Sequence, residues 1–439
     1  MADVQPFPGL RFPKDANIAD ILCPPFDIIS PDEQRELYQR SPFNIVRLEY
    51  GETSAADTPT DNRYTRAAAT LREWIGSGVL IRENFPTLYV YDQEFTHLGQ
   101  RLTRRGLFAR VRLHNWDERI IRPHEHTLSR PKEDRLLLLR ACRVNVSSVL
   151  GLYRDPAGDI GKTIEEARGR SPLLEAADRE GQSHRLYPIT DRKALDRVGG
   201  LFQEKDIYII DGHHRYETAL AYRDERRAQA TRWDGEEGEN FVLLALVARE
   251  DPGLVVLPTH RLLRTAALPA DFAARLERTF HLEDVSGDLG DGGWPAMEAL
   301  LAAAGRRGIA IGIAGRDEKL RLIATVKDPE EAAKLMPPGR PASWRHLDAA
   351  VLQELVLGEI LGISEQSMTS ATVPPVEFTD DGEEALRTVE SGRYALAFFL
   401  NATPPERVLE VADAGERMPQ KSTYFYPKLP TGLVMYPLD

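Results

Sequence analysis

Apolar residues recur at Ala67, Leu71 and Ile75, a spacing of four that gathers them on one face of a helix over residues 63–75, with Gly76 placed to end it. The pattern then changes to short runs. Residues 88–91 (Leu-Tyr-Val-Tyr) and 106–111 (Gly-Leu-Phe-Ala-Arg-Val) predict an antiparallel meander closed by a glycine-containing turn. A leucine-rich run over 131–143 predicts a helix, with Pro131 in its first turn and Glu133 and Asp134 complementing the dipole. Downstream, strands are expected at 146–152, 207–210, 241–247, 254–257, 308–313, 320–326 and 394–399. Helices are expected from Tyr216 and at 294–304, 348–361 and 381–390, while 160–177 reads as helix or loop. In the first fifty residues, seven prolines cut the chain into short apolar runs at 19–22 and 44–48, expected as short strands or turns on a larger body. The alternation predicts an α+β or α/β chain. The glycine-rich stretch 287–293 reads as a loop and a boundary, and three domains are expected, at 1–150, 151–286 and 287–439.

Composition leaves that picture intact. With 42% hydrophobic and 28% charged residues, a chain of 439 needs neither disulfides nor metal to build a core. Cys23 and Cys142 fall in no CxxC or Cys/His spacing, which fits a reducing compartment. Residues 1–6 have neither a basic nor an apolar leader pattern, and no apolar run approaches a membrane span, so a cytoplasmic protein is expected. The net charge of −12 argues against a nucleic-acid partner. The basic run from Arg101 to Arg110, with Arg104 and Arg105 adjacent, reads as the solvated side of a hairpin.

Three segments concentrate chemistry. The run 207–210 ends in Asp211-Gly212 and opens a helix with His213, His214 and Arg215. A helix N-terminus already carries unpaired N–H groups and the positive end of the dipole, so three more potential cations there point to an anion in front of them. Gly212 would allow close backbone approach, and Asp211 could orient a histidine or reach a metal ion. A capped surface turn is the competing reading. The second segment, Arg122-Pro123-His124-Glu125-His126-Thr127, places a carboxylate among groups that could tune it as a general base. Extended, it would put His124 and His126 on one face; a structural polar loop reads equally well. The third, 418–428, groups Lys421, Ser422 and Thr423 as donors for phosphate or carboxylate and ends at Lys428. Lys132 and Arg135 are weaker candidates, since charges in a first helical turn usually face solvent. His260 and Arg261 are weaker ones too, in an expected loop after a strand.

Taken together, these motifs resemble a known set. Strand–DGHHR–helix resembles the phosphate-binding motif of the ParB/sulfiredoxin-like superfamily. Its free-serine kinases carry Pro-His-Glu, then Asp-Gly-His-His-Arg, then a Lys-Thr-Thr-like segment, and Pro123-His124-Glu125, Asp211–Arg215 and Lys421-Ser422-Thr423 follow in that order here. Over most of its length the chain also resembles a prokaryotic domain-of-unknown-function family, DUF1015, through its PHEHT, KEDRL, DGHHRYETA and MPQKSTYFYPK segments. The resemblance implies a ParB/sulfiredoxin-like phosphate-binding core embedded in a larger mixed chain. It implies Glu125 as catalytic base, with His124 and Asp211 in the catalytic set, and Gly212, His213, His214 and Arg215 on the phosphate. Lys421, Ser422, Thr423 and Lys428 would bind substrate, and magnesium would accompany the donor, with Asp211 as its ligand. The chain departs from the compact kinases in its long N-terminal region and in the large insertion between Glu125 and Asp211.

The leading expectation is therefore a kinase making O-phospho-L-serine from free L-serine, with ADP, ATP or pyrophosphate as donor. No GxxxxGK[ST] occurs, which excludes the P-loop solution. Two alternatives stand beside it. A ParB-like nucleotide switch predicts nucleotide-driven dimerisation, although no helix-turn-helix is found. A metal-dependent phosphohydrolase predicts a tightly bound transition metal.

Overall fold

The computed structural model describes residues 1–127, 129–264, 268–289, 293–316, 320–370 and 373–439. They form two units. The first comprises Met1–Pro123, Thr127–Val255 and Pro427–Asp439, and its centre is the hairpin that the 88–111 pattern predicts. The strands run further than their apolar stretches, and they turn through Leu98 (φ 48°) and Gly99 (φ 75°), the two positive φ values that suit a two-residue hairpin. Around the hairpin lies a nine-stranded sheet of β1 (Val4–Gln5), β2 (Leu88–His97), β3 (Gln100–Arg112), β4 (Ile121–Pro123), β5 (Val149–Tyr153), β6 (Leu174–Ala177), β7 (Ser183–Ile189), β8 (Ile207–Asp211) and β9 (Phe241–Ala248). The order is β4-β8-β5-β9-β3-β2-β7-β6, with β1 on β3. The β8–β4 and β9–β5 pairs are parallel and the rest antiparallel.

Five of its helices matter below: α1 (Pro31–Arg40), α2 (Arg63–Gly76), α3 (Ser129–Cys142), α4 (Arg192–Phe202) and α5 (His213–Gln229). Alternate residues along the strands (Leu107, Ala109 and Val111; Ile207 and Ile209; Val242, Leu244 and Leu246) share a core with Leu195, Val198 and Phe202 of α4 and Tyr216 and Ala219 of α5. The apolar runs near the N-terminus, expected as strands or turns, are helical at Ile18–Ile21 and Val46–Glu49. Helix α1 was not foreseen, although its start signal is in the sequence: the Ser30 hydroxyl accepts the Glu33 N–H at 3.2 Å, Pro31 leads, and two acids follow. Residues 160–177 resolve into a helix, Asp159–Ala167, and β6.

The second unit comprises His124–His126 and Val256–Tyr426. Its sheet is antiparallel throughout, in the order β11-β13-β12-β15-β10-β14, formed by β10 (His260–Leu263), β11 (Phe280–Asp284), β12 (Ala310–Gly315), β13 (Arg321–Val326), β14 (Val376–Thr379) and β15 (Leu396–Leu400). Helices α6 (Gly293–Gly305) and α7 (Gly382–Glu390) bury Met297, Leu301, Ala385 and Val389 against Ala310, Ile323 and Phe399. The helix expected at 348–361 is α-helical only over Asp348–Val351 and continues as a π-helix, Leu352–Ile360. The stretch 287–293 lies partly outside the described residues; the helix Ser286–Leu289 overlaps its start. Both units thus mix helix and sheet, and no helix among the described residues is long and apolar enough to cross a membrane.

Candidate functional site

Strand β8 is buried along four residues and surfaces at Asp211. The chain must reverse into α5 within one residue, and Gly212 does this at φ 83°. A Cβ there would also lie 2.9 Å from the Arg215 Nε, so a side chain at this position would displace the guanidinium. The helix starts without a side-chain cap and with no acid in its first turn. His213 is buried there and His214 half-buried. The Arg215 guanidinium folds back over Gly212, donates to Asp211 Oδ2 at 2.8 Å and donates to the Ser148 carbonyl. The other oxygen, Asp211 Oδ1, accepts from the Lys428 ammonium at 2.6 Å. One carboxylate therefore holds two cations at the N-terminus of a 17-residue helix.

Lys428 arrives from the far end of the chain and is held from behind. Arg104, 1% exposed, donates to the Pro427 carbonyl and to Gln93 Oε1, both at 2.6 Å. The Gln93 amide donates to the Lys428 carbonyl at 3.3 Å. Burial holds the Arg104 guanidinium below its usual range, partly opposed by Tyr91, Asp251 and Asp211. Arg104 is therefore not on the solvated side of the hairpin, where its composition suggested. The available signal was parity: Arg104 shares a strand face with Phe108, which is also buried.

Charges on the flanking elements are used internally. Arg122 pairs with Asp206 at 2.5 Å and bonds the Arg119 carbonyl. Thr127 Oγ1 (2.5 Å) and Lys132 Nζ (3.0 Å) both donate to Glu217 Oε2, and the Trp116 indole donates to Glu217 Oε1 at 3.3 Å. Arg135 is buried, donating to Asp134 and to the Glu49 carbonyl at 2.8 Å. Arg135 is not the solvent-facing charge expected of a first turn, since Asp134 and Glu49 of the helix Val46–Glu49 hold it. Lys132 keeps 37% of its side chain exposed and is tied to α5 through Glu217.

In the second unit, Glu125 forms a single parallel bridge with Met418, whose N–H donates to the His124 carbonyl at 2.7 Å. Glu125 Oε1 accepts the main-chain N–H of Lys421 at 2.9 Å, and Lys421 adopts a left-handed φ of 54°. His124, 1% exposed, lies 3.2 Å through Nε2 from Thr423 Oγ1. The Pro-His-Glu and Lys-Ser-Thr segments, nearly 300 residues apart, are thereby brought together. Two details differ from expectation. His124 is buried and His126 exposed, so the two do not share one environment; past β4 the segment is a loop apart from the bridge at Glu125. Partial desolvation, with Arg417 and Arg340, holds the His126 imidazolium below its usual range. The Ser422 hydroxyl donates to the Pro419 carbonyl and is buried, which commits it to the turn.

His260 and Arg261 begin a strand rather than occupying a loop. His260 is packed between Trp294 and Phe399, accepts the Leu400 N–H at 3.3 Å, and burial pushes its imidazole down to about 3, so it is a neutral core residue. Arg261 is buried, which lowers its guanidinium to about 10 against the attraction of the Glu125 carboxylate.

Among the described residues no group of three or more His, Cys, Asp and Glu side chains could hold a metal ion. Asp211 already faces Lys428 and Arg215 with both oxygens. These residues do not fit a protein-held magnesium ion, and the metal role expected of Asp211 gives way to that of holding two cations.

The family described as protein of unknown function, DUF1015, matches residues 4–350. The chain belongs to that family. The DUF1015 match includes Pro123–Glu125 and Asp211–Arg215 and ends before Lys421–Lys428. No curated protein matches the chain. Among solved structures, a free serine kinase mutant in complex with ADP is 13% identical, with a TM-score of 0.37 over 76% of this chain and 92% of that one. A conserved hypothetical protein from Pyrococcus furiosus is 15% identical, with a TM-score of 0.33 over 74% and 93%. SbnI with C-terminal truncation, from Staphylococcus aureus, is 11% identical, with a TM-score of 0.36 over 75% and 87%. Likenesses this slight carry no inference about the site.

Proposed function

We propose that this DUF1015 chain is a small-molecule kinase that phosphorylates free L-serine to O-phospho-L-serine, with ADP, ATP or pyrophosphate as donor. In this reading the surroundings of β8 and α5 are a ParB/sulfiredoxin-like phosphate-binding core. The observation that carries the proposal is Asp211 holding Arg215 and Lys428 at the N-terminus of α5, whose first turn carries no acid. An anion there meets main-chain N–H groups, the dipole, and two cations already fixed in place, so little reorganisation accompanies charge development. His213 and His214 add donors to the same first turn.

The reaction needs a base, and Glu125 takes that role. Its Oε1 is fixed by the Lys421 N–H. As the serine Oγ attacks the terminal phosphorus of the donor, its proton passes to Glu125 and the bridging P–O bond breaks, its electron pair leaving with AMP, ADP or phosphate. Phosphoryl transfer asks mainly for positioning and charge neutralisation, and Arg215, Lys428 and the N-terminus of α5 would supply the neutralisation. Lys421 and Thr423 contact the amino acid, while Ser422 holds their turn.

The test is a phosphate-transfer screen of free amino acids against ADP, ATP and pyrophosphate, read by mass spectrometry. O-phospho-L-serine is the expected product. Transfer to no acceptor would overturn the kinase reading, and nucleotide-driven dimerisation without transfer would favour a switch.

A further inference from the structure

Glu49 is a residue that no motif singles out. It ends the short helix Val46–Glu49 and is 1% exposed. A carboxylate is costly to bury without compensation, so its partners indicate what it is there to hold. Its Oε1 accepts the Ser147 hydroxyl at 2.9 Å and lies 3.5 Å from the Arg135 guanidinium. The next residue, Ser148, presents the carbonyl that holds Arg215, and Arg215 in turn holds Asp211, which holds Lys428. Glu49 and Arg215 also line one small cavity of about 40 Å³, with Ser147 and Arg135. Two buried groups on these residues, the acceptor Glu49 Oε2 and the donor Arg215 Nε, have no protein partner. That volume is enough for one water, and an acceptor and a donor are what such a water would bridge.

We propose that Glu49 is a positioning residue for the phosphate site: it fixes Arg215 through Ser147–Ser148 and through a buried water shared between Glu49 Oε2 and Arg215 Nε. The proposal rests on the reading of Arg215 as a phosphate contact. It also assigns a task to the N-terminal region, which compact free-serine kinases are expected to lack. The guanidinium has three nitrogens, and Ser148, Asp211 and the water occupy one each, which leaves it a single orientation.

The experiment compares Glu49→Gln, Ser147→Ala and Arg215→Ala, singly and in pairs, by calorimetric titration with inorganic pyrophosphate and by urea denaturation. Glu49→Gln and Ser147→Ala should each weaken pyrophosphate binding by roughly 3- to 30-fold, the range for residues that act through a network. Neither should weaken it further once Arg215 is alanine, because they act through that side chain. Equal weakening in both backgrounds, or none in a folded Glu49→Gln protein, would overturn the proposal. If wild type itself does not bind pyrophosphate, the phosphate reading fails, and the link to Glu49 is decided by stability alone. The Glu49→Gln/Arg215→Ala protein should then be no less stable than the weaker single variant, and fully additive losses would show that the two residues are not coupled.

Discussion

Glu125 is where the proposed chemistry concentrates. Glu125→Gln keeps the side chain's shape and its bond to the Lys421 N–H while removing the base. It should lower serine phosphorylation by roughly two to four decades while leaving pyrophosphate binding unchanged, as steady-state kinetics and calorimetry would show. Undiminished turnover would remove Glu125 from the mechanism. Asp348 offers a different test. Burial pushes its carboxyl up to about 7, against ~3.9 in an unfolded chain. Between those values the folded state keeps a proton that the unfolded state has released, so folding loses stability as pH rises from ~4 and bears the whole cost above 7. Asp348→Asn should therefore stabilise the protein at pH 8 by on the order of 1–3 kcal/mol and have little effect at pH 4, read by urea denaturation. An equal effect at both pH values would mean the carboxyl is not desolvated.

At the scale of the element, the junction of β8 and α5 determines the site. Gly212 is constrained both by its φ of 83° and by the guanidinium stacked on it. Gly212→Ala should cost about 1–2 kcal/mol in denaturation experiments and also weaken pyrophosphate binding, because Arg215 must move. Sequence reading treats this N-terminus as a cluster of mutually repelling cations that an anion relieves. The structure supplies the relief internally through Asp211, so the two cations have different consequences. Arg215→Ala should lose both ligand-induced thermal stabilisation and ligand-free stability, by about 3 kcal/mol, since it leaves the part-buried Asp211 and Ser148 carbonyl short of a donor. Lys428→Ala should lose mainly the ligand effect. A thermal-shift titration with pyrophosphate separates them, and identical behaviour of the two variants would contradict the arrangement around Asp211.

For the whole molecule, the proposed activity makes a statement about acceptors. A site built for an amino acid's backbone and a primary hydroxyl should give no product with alanine and discriminate against threonine's extra methyl. Equal phosphorylation of simple alcohols, measured in the same mass-spectrometric screen, would sink the free-serine reading but not the kinase class. The two units are discontinuous in sequence: Pro427–Asp439 belongs with the N-terminal region, and His124–His126 with the C-terminal half. That is why Lys428 can reach Asp211, and why division of the chain by composition does not anticipate the partnership.

What the sequence determines by itself is what depends on neighbours along the chain. Helix α2, the β2–β3 hairpin, the β8–Gly212–α5 junction and most strands were legible, because their periods and turn residues are local. The order of the three motifs was equally legible. What only the tertiary structure decides is which distant groups share an environment. Strand parity hinted that Arg104 is buried, but not what compensates it, because its partners are Gln93 and a carbonyl 323 residues away. His260 could not be told from a site histidine, because its neutrality comes from burial beside Trp294 and Phe399. Glu49 carries no local signature at all, since its function as read here lies in one serine and one cavity. Burial and long-range pairing set the free energy of a charge, and neither is a property of a residue's sequence neighbours.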